Sequence, residues 1–357
     1  MKRLFAAIVL SITVCCASLI ATPNSTIESA ERTYHVRQMV TLSEIPVGTK
    51  DVKWWISVPS DDRFQDVLDL SVVALPGEWK TVREPDRGNR FLFTEVSNPS
   101  AGQLTATIEY TVRRKSFFVE IDPSQVGSIT DAHRRLFADE LRTDAPHMEV
   151  SSSIRAMAEK LCGNEVNVYI EAKHLLDGVA DYADHYSKDP SKPKYSVGDA
   201  ASCVTNAGGT CTDMHSLFIA LARARGIPTR LQMGYRLNAT NVGKEIDPGY
   251  RCWVEYFIPG YGWIPADIVE ADAPNGLGRA RWFTGLTERR VWLNEGREFD
   301  LGGRSVAGKR VNTMIIGYAE IDGVEARVLP EGEKKAQLSR KVLFTEKAPV
   351  EAALATK

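Results

Sequence analysis

The first third of the chain alternates apolar and polar residues in the manner of half-buried strands. From Leu104 to Val112 every second residue is apolar and the residues between are threonines and Glu109, a period of two that predicts a strand with one buried face. Turn-forming clusters of Pro, Gly, Asp and Asn separate shorter runs of the same kind at 34–42, 53–58 and 90–96. We therefore predict an N-terminal β-sandwich-like domain over residues 33–121.

The pattern changes to helical spacing in the middle of the chain and returns to strands after Gly226. Apolar residues recur every three or four positions at 131–141, 151–161 and 170–186. Strand-like runs follow at 230–237, 251–258, 262–268, 291–292 and 311–319. This order predicts an α+β domain over 128–275, with helices first and an antiparallel sheet after them. A β-rich extension over 276–330 and a charged tail over 331–357 complete the predicted organisation.

The amino-terminal residues differ from the rest of the chain and favour export. A lysine and an arginine precede an apolar run from Leu4 to Val14, and small residues follow, which is the pattern of a cleaved signal peptide. We predict a signal peptide over residues 1–21 and a periplasmic or extracellular protein with no stable membrane span after cleavage. A transmembrane helix is a weaker alternative to the signal peptide, because the apolar run is short for a bilayer span. A lipid anchor on one of the two cysteines that follow the run is a second weaker alternative.

The composition argues against one broad class of function. The 357 residues include 44 Lys and Arg against 46 Asp and Glu, for a net charge of -2. A nucleic-acid-binding surface needs a basic excess to neutralise phosphates, so nucleic acid is not an expected partner. We expect no cofactor, and no metal site is predicted because no spacing of His and Cys residues resembles that of a zinc site.

The strongest helix signal of the chain begins at Cys211. Thr210 and Asp213 have the spacing of a capping pair, and the apolar residues that follow at helical spacing are Met214, Leu217, Phe218 and Leu221. Cys211 therefore lies in the first turn, where unpaired backbone N–H groups and the helix dipole lower the pKa of a thiol. The alternative is that Cys211 is a small buried residue at a helix start.

A predicted hairpin downstream adds a second candidate group. An aromatic and β-branched strand starts at Arg251, a turn follows at 259–262, and the returning strand carries Asp267. Alternation along each strand puts Arg251 on one face with Trp253, and hairpin arms of this length could place Arg251 beside Asp267. A catalytic base must lie beside the carboxylate that orients it, so two side chains placed in this way could form such a pair.

Four segments, in order, resemble the bacterial branch of the transglutaminase-like superfamily: 209–213 (GTCTD), 222–230 (ARARGIPTR), 252–255 (CWVE) and 262–267 (GWIPAD). The resemblance is best over 154–272. It implies a papain-like core in which a cysteine nucleophile, a histidine base and an aspartate form a triad. Carried onto this chain, the nucleophile falls on Cys211, the aspartate on Asp267 and the histidine position on Arg251.

Arginine at the histidine position changes the expected chemistry. A guanidinium stays protonated and has no acceptor atom, so Arg251 cannot take the thiol proton and return it to a leaving amine. Its charge could still lower the pKa of Cys211 and pair with Asp267. His215, four residues after Cys211 on the same helical face, is a weak replacement. The remaining histidines have no motif context and are interpreted as exposed or structural: His35, His133, His147, His174 and His185.

The predicted function follows from the resemblance and from this departure. We expect an exported protein with a cysteine-based site for acyl transfer or amide hydrolysis on a peptide or isopeptide substrate, impaired because Arg251 replaces histidine. The alternatives are a non-catalytic binding or scaffold pseudoenzyme and a structural β-rich protein in which Cys211 belongs to the core. In an oxidising compartment we expect any disulfide to join Cys162 and Cys203, because Cys211 and Cys252 have other roles.

Overall fold

The computed structural model of the protein describes residues 27–28, 30–273, 276–306 and 309–347. The predicted signal peptide and the end of the predicted tail lie outside the described residues. Among the helices that are described, none has the length and apolar character needed to cross a bilayer. The α+β class predicted from the sequence is confirmed.

The strands are, in chain order, β1 (Ile27–Glu28), β2 (Glu31–Ile45), β3 (Asp51–Ser57), β4 (Gln65–Ala74), β5 (Glu78–Arg83), β6 (Arg90–Ser97), β7 (Gly102–Lys115), β8 (Phe117–Val119), β9 (Asp184–His185), β10 (Gly208–Gly209), β11 (Thr229–Arg236), β12 (Glu245–Ile246), β13 (Arg251–Ile258), β14 (Gly262–Ala266), β15 (Gly285–Leu286), β16 (Arg290–Glu295), β17 (Gly317–Ile321), β18 (Val324–Glu325) and β19 (Leu338–Lys347). The α-helices are α1 (Asp131–Leu136), α2 (Ser152–Cys162), α3 (Val168–Tyr182), α4 (Ala200–Asn206), α5 (Cys211–Ala224), α6 (Ile268–Ala271) and α7 (Arg279–Trp282). Short 3₁₀ turns are formed by Pro123–Gln125, Asp139–Leu141 and Ala239–Asn241.

Two five-stranded sheets form the sandwich part of the molecule. Their strand orders are β12-β19-β2-β7-β4 and β18-β17-β3-β6-β5, and they share one core that includes Tyr34, Trp54, Tyr110 and Ala319. The alternating residues recognised in β7 supply part of this core, since Ala106, Ile108, Tyr110 and Val112 are all fully buried. Burial of one face per strand is what holds the two sheets together.

The carboxyl-terminal third does not form a separate extension and tail. Strand β17 pairs with β3 and β16 pairs with β11, so residues 276–330 contribute to the sandwich and to the sheet of the helical domain. Residues 338–347, which the sequence analysis placed in a charged tail, form β19 and pair with β2 along its length. Leu338, Arg340, Val342 and Phe344 are buried at alternate positions, a strand pattern that the charged residues of the segment conceal.

The helical domain is centred on α5, which packs against the sheet β14-β13-β11-β16. Every residue of α5 from Cys211 to Arg223 is buried, because helices α2, α3 and α4 cover the sides that the sheet leaves open. The helix predicted over 170–186 ends at Tyr182. Asp184 N instead donates to Ala207 O, and this pairing turns residues 184–185 into strand β9.

The predicted disulfide is not formed. Cys162, Cys203, Cys211 and Cys252 are all free and buried. The Cys162 sulfur lies 3.8 Å from the carbonyl oxygen of Glu171 on the neighbouring helix. Burial raises the pKa of Cys162 to about 11 and that of Cys203 to about 12, so both remain thiols at neutral pH.

Candidate active site

Cys211 is the first residue of α5, and Thr210 and Asp213 build the cap of that helix. The Thr210 hydroxyl accepts from Asp213 N at 3.4 Å, and the Asp213 carboxylate accepts from Thr210 N at 2.7 Å. Asp213 also accepts from the Ser196 hydroxyl at 2.6 Å and from Asp199 N at 2.8 Å, so one carboxylate fixes the helix start and the loop before it. Cys211, 2% exposed, lies at the positive end of the helix, which favours a thiolate.

A short parallel strand pair brings His185 to the start of α5. Strand β9 pairs with β10 so that His185 lies opposite Gly209, two residues before Cys211. Gly208 makes this approach possible, because its φ is +143° and a Cβ at that position would lie 2.1 Å from the Asp184 carbonyl oxygen. Any larger residue at position 208 would push β9 away.

The imidazole of His185 is held on one side by Ser187. His185 is 5% exposed, and its Nδ1 lies 2.7 Å from the Ser187 hydroxyl and 3.3 Å from the Ser187 backbone nitrogen. No role for His185 was predicted from the sequence, because His185 lies near Cys211 only through the pairing of two short strands. The two adjacent glycines of β10 were the local signal available, since they indicate close approach of another backbone.

The surroundings of Cys211 stabilise its thiolate. Hydrogen bonding with the Cys252 side chain is the largest influence, and together with hydrogen bonding from His185 and the charge of Arg251 it outweighs burial, so the pKa of Cys211 lies well below its ordinary value. Burial raises the pKa of Cys252 well above its ordinary value, so Cys252 stays a thiol and donates its S–H. The thiolate is the nucleophilic form of cysteine.

His215 supports Cys252 and has no nitrogen free for Cys211. Its Nε2 accepts from Ile268 N at 3.1 Å, so the hydrogen of the neutral ring is on Nδ1, which lies 3.2 Å from the Cys252 sulfur. His215 is 0% exposed, and burial lowers its pKa, which keeps the ring neutral. Because both nitrogens are engaged, we assign His215 a structural role rather than that of the missing base.

Asp267 is buried at the start of α6 and pairs with Arg290. Its Oδ1 accepts from Glu270 N at 3.1 Å and lies 3.8 Å from His215 Nε2, while its Oδ2 accepts from Arg290 Nη1 at 3.1 Å. The side chains of Asp267 and Arg290 are each 1% exposed. Burial is the largest influence and opposes the charged carboxylate, but the positive charge of Arg290, the neighbouring His215 and the hydrogen bonds from Glu270 N and Arg290 together outweigh it, so the pKa of Asp267 lies below its ordinary value.

Arg251 acts on Cys211 by charge and does not hydrogen-bond Asp267, which corrects the predicted pairing. Its Nη1 donates to the Tyr250 carbonyl oxygen at 3.0 Å, and its Nε has no acceptor among the residues that the structure describes. Arg290, from β16, takes the place beside Asp267 that the hairpin pattern suggested for Arg251. Arg251 therefore stabilises the Cys211 thiolate without offering a proton acceptor.

A groove of about 310 Å³ lies beside these groups. Its lining carries positive and negative side chains and comprises His185, Ser187, Lys188, Met214, Arg236, Arg251, Val269, Glu270, Asp272 and Ala273. Two of the groups that act on the Cys211 sulfur, His185 and Arg251, are on its wall. Within the described ranges no group of three or more His, Cys, Asp or Glu side chains is placed to hold a metal ion.

Comparisons with known proteins agree with this architecture. Residues 155–268 match the sequence profile of the transglutaminase-like superfamily core. An uncharacterised protein of Haemophilus influenzae is 24% identical over 362 residues, which cover 90% of this chain and 95% of that protein. A solved structure of a candidate cysteine protease from Cytophaga hutchinsonii is similar with a TM-score of 0.57, covering 90% of this chain and 100% of that chain at 19% identity.

The structural likeness shows a shared fold. The matched segment spans α2 to the start of α6 and therefore includes Cys211, the hairpin β13–β14 and Asp267. Its helices precede an antiparallel sheet, in the order that the sequence predicted. Residues 155–268 are thus similar to the core domain of the transglutaminase-like superfamily.

Proposed function

We propose that Cys211 is the nucleophile of a thiol-dependent acyl-transfer or amide-hydrolysis reaction on a peptide or isopeptide substrate. The observation that carries the proposal is the thiol of Cys211 at the first turn of α5, with a pKa well below its ordinary value. Lowered thiol pKa values are characteristic of nucleophilic cysteines. The family match and the candidate cysteine protease of similar fold support the same reaction class.

The reaction follows from the position of the thiolate. Cys211 sulfur attacks the carbonyl carbon of the amide and forms a tetrahedral oxyanion, which the backbone N–H of Cys211 at the helix start can stabilise. The C–N bond then breaks, the amine leaves with a proton taken from water, and an acyl-thioester remains on Cys211. Water or a second amine releases the acyl group. Arg251 stabilises the thiolate but cannot protonate the leaving amine and regain the proton, a loss worth about 10² to 10⁴ in rate.

The site of action follows from the amino-terminal sequence. The basic residues and the apolar run from Leu4 to Val14 support export through a signal peptide. The protein then acts in the periplasm or outside the cell, where its substrate or ligand is a protein or peptide. The alternative, a binding module that has lost its base, is motivated by Arg251 alone.

An acyl-trapping experiment tests the proposed reaction. The purified protein is mixed with a peptide p-nitrophenyl ester, quenched in acid and digested, and the acyl group is located by mass spectrometry. We expect one acyl adduct, on Cys211, and none at that position in Cys211→Ala. Cys203→Ala is the matched control, because Cys203 is a buried thiol with a raised pKa. Absence of an adduct on Cys211 in the folded natural protein would overturn the proposal in favour of the binding module.

Removal of the Arg251 charge is expected to raise the pKa of Cys211. In Arg251→Gln the thiolate loses a nearby positive charge, so the midpoint of iodoacetamide alkylation of Cys211 should move up by about one pH unit. Arg251→Lys keeps the charge and should leave the midpoint close to that of the natural protein. Alkylation rates measured from pH 4 to 10 check this prediction, and equal midpoints in the glutamine and lysine variants would contradict it.

A further inference from the structure

The Cys211 thiol needs a proton acceptor that none of the family positions provides. Arg251 has no acceptor atom, and both ring nitrogens of His215 are engaged by Ile268 and Cys252. Asp267 is directed to Arg290 and to the start of α6. A base for this cysteine must therefore come from outside the positions that the family resemblance designates.

We propose that His185 is the general base and acid for Cys211, in place of the histidine that Arg251 has displaced. This inference rests on the proposed function of Cys211. The pairing of β9 with β10 sets His185 opposite Gly209, beside the first turn of α5, and hydrogen bonding from its side chain is one of the causes that lower the pKa of Cys211. His185 also lies on the wall of the groove, so its ring is placed between the thiol and the space in which a substrate can bind.

The contact with Ser187 gives the ring the orientation that this role requires. Ser187 Oγ lies 2.7 Å from Nδ1, the shorter of its two contacts with the ring. Because Nδ1 is held by Ser187, Nε2 is the nitrogen left for the Cys211 sulfur. The base needs its hydrogen on Nδ1, where the serine hydroxyl accepts it. The longer contact, in which Ser187 N donates to Nδ1 at 3.3 Å, belongs to the other tautomer, in which Nε2–H donates to the Cys211 thiolate. Ser187 is thus a positioning residue for the base.

The proton steps balance over one turnover. His185 takes the proton as the Cys211 S–H bond breaks, and the thiolate forms a C–S bond to the substrate carbonyl carbon. The imidazolium then gives that proton to the amine nitrogen as the C–N bond breaks. In hydrolysis, His185 takes a proton from water while the hydroxide adds to the thioester, the C–S bond breaks, and the thiolate regains a proton. The net change is amide plus water to acid plus amine.

The charges around the groove favour a thiolate on Cys211. The charged side chains that line the groove together with His185 are Lys188, Arg236, Arg251, Glu270 and Asp272. Three of these side chains are positive and two are negative, so the surroundings carry a net positive charge that stabilises the thiolate. Under this proposal Arg251 stabilises the thiolate by its permanent positive charge, whereas His185 accepts and donates the proton.

The test compares His185→Gln with His35→Gln, a matched change in the sandwich, where His35 Nδ1 lies 3.3 Å from the Thr111 hydroxyl. Iodoacetamide alkylation of Cys211 is followed against pH, and acylation by the peptide p-nitrophenyl ester and release of the acyl group are timed. We expect His185→Gln to raise the alkylation midpoint by about one unit or more and to slow acyl release about 10² to 10⁴-fold. His35→Gln should change neither measurement.

The outcomes separate this inference from the proposed function. If His185→Gln is folded, forms the Cys211 adduct and matches the natural protein in pH profile and release rate, His185 is not the base while the nucleophile stands. If the natural protein forms no adduct but His185→Gln still shifts the alkylation midpoint, the proposed function fails and the Cys211–His185 pair stands.

A milder variant keeps the test valid if His185→Gln does not fold. Ser187 is exposed, so Ser187→Ala should fold, and it should slow acyl release in the same direction by a smaller factor. Imidazole added to His185→Ala should restore part of the release rate. Unchanged release in Ser187→Ala together with no rescue by imidazole would overturn the assignment.

Discussion

Cys211→Ala is expected to lower the turnover of a peptide amide at least about 10³-fold, because removal of a covalent nucleophile leaves only binding and oxyanion contacts to assist the reaction. Cys211 is the cysteine whose surroundings combine a helix start, a neighbouring thiol donor, an imidazole and a guanidinium. Turnover is measured with a peptide amide selected from a substrate panel by its hydrolysis by the natural protein. Circular dichroism establishes that the variant is folded.

The control for this result is a second buried thiol. Cys203→Ala removes a cysteine whose pKa burial raises to about 12, and it should keep turnover within a few-fold of the natural protein. If Cys211→Ala and the natural protein hydrolyse the same amides at the same rate, another group performs the reaction. If Cys203→Ala loses as much turnover as Cys211→Ala, the loss reflects packing rather than nucleophilic chemistry.

Arg290→Met is expected to reduce the free energy of unfolding by about 3–5 kcal/mol at neutral pH. The Asp267 carboxylate and the Arg290 guanidinium are both 1% exposed and are 3.1 Å apart, so the variant leaves a buried charge without its partner. Arg290 also lies over the Trp253 ring at 5.1 Å, and methionine keeps part of that packing. Urea denaturation measures the change.

The pH dependence of the loss in unfolding free energy shows whether the charge of Asp267 causes it. The pKa of Asp267 is lowered in the folded protein, so its stabilising contribution is complete above the unfolded-state pKa of about 3.9 and is lost as the pH falls through the folded value. In Arg290→Met the same pKa should rise, because burial is no longer opposed by the nearby charge. The difference in stability between the two proteins should therefore be largest near pH 7 and shrink as the pH falls towards 4.

An exposed ion pair provides the comparison. Lys341 Nζ lies 2.9 Å from Glu245, with 63% and 47% of the two side chains exposed, and Lys341→Met should cost about 0–1 kcal/mol. A loss of less than about 1 kcal/mol in Arg290→Met, or a loss that stays constant into acid, would show that the buried pair does not stabilise the start of α6 as the geometry indicates.

Two cysteine–histidine pairs lie at the start of α5: Cys252 with His215, and Cys211 with His185. Cys252 and His215 are fully buried, and His215 orients Cys252 so that the Cys252 S–H can stabilise the Cys211 thiolate. His185 lies on the groove wall and is placed to exchange a proton with a substrate. Asp267, to which the resemblance assigns the aspartate of the triad, contacts Arg290 and lies 3.8 Å from Nε2 of His215. The aspartate thus stabilises the site, whereas the proton chemistry is assigned to His185.

Local patterns were sufficient for the elements that carry the nucleophile. The Thr210–Asp213 cap and the apolar face after it predicted where α5 begins, because capping and helical amphipathicity involve residues three or four positions apart. The aromatic and β-branched run from Arg251 and the turn after it predicted β13 and β14 for the same reason. The order of these motifs was also sufficient to recognise a resemblance to the superfamily whose core matches residues 155–268.

Long-range pairing decided the remaining features. Strand β19 and the strand character of residues 184–185 depend on partners far away in the chain, so local spacing favoured a tail and a longer helix. The absence of a disulfide likewise depends on where α2 and α4 direct Cys162 and Cys203.

The sequence by itself determined the α+β class and the position of Cys211 at a helix start, and the resemblance assigned the histidine position to Arg251. Those conclusions need only residue types and short-range periodicity. Only the tertiary structure placed Arg290 beside Asp267, engaged both nitrogens of His215 and brought His185 to Cys211. These contacts join strands, helices and loops that are distant in the chain, and the packing of the whole core, rather than any local pattern, selects them.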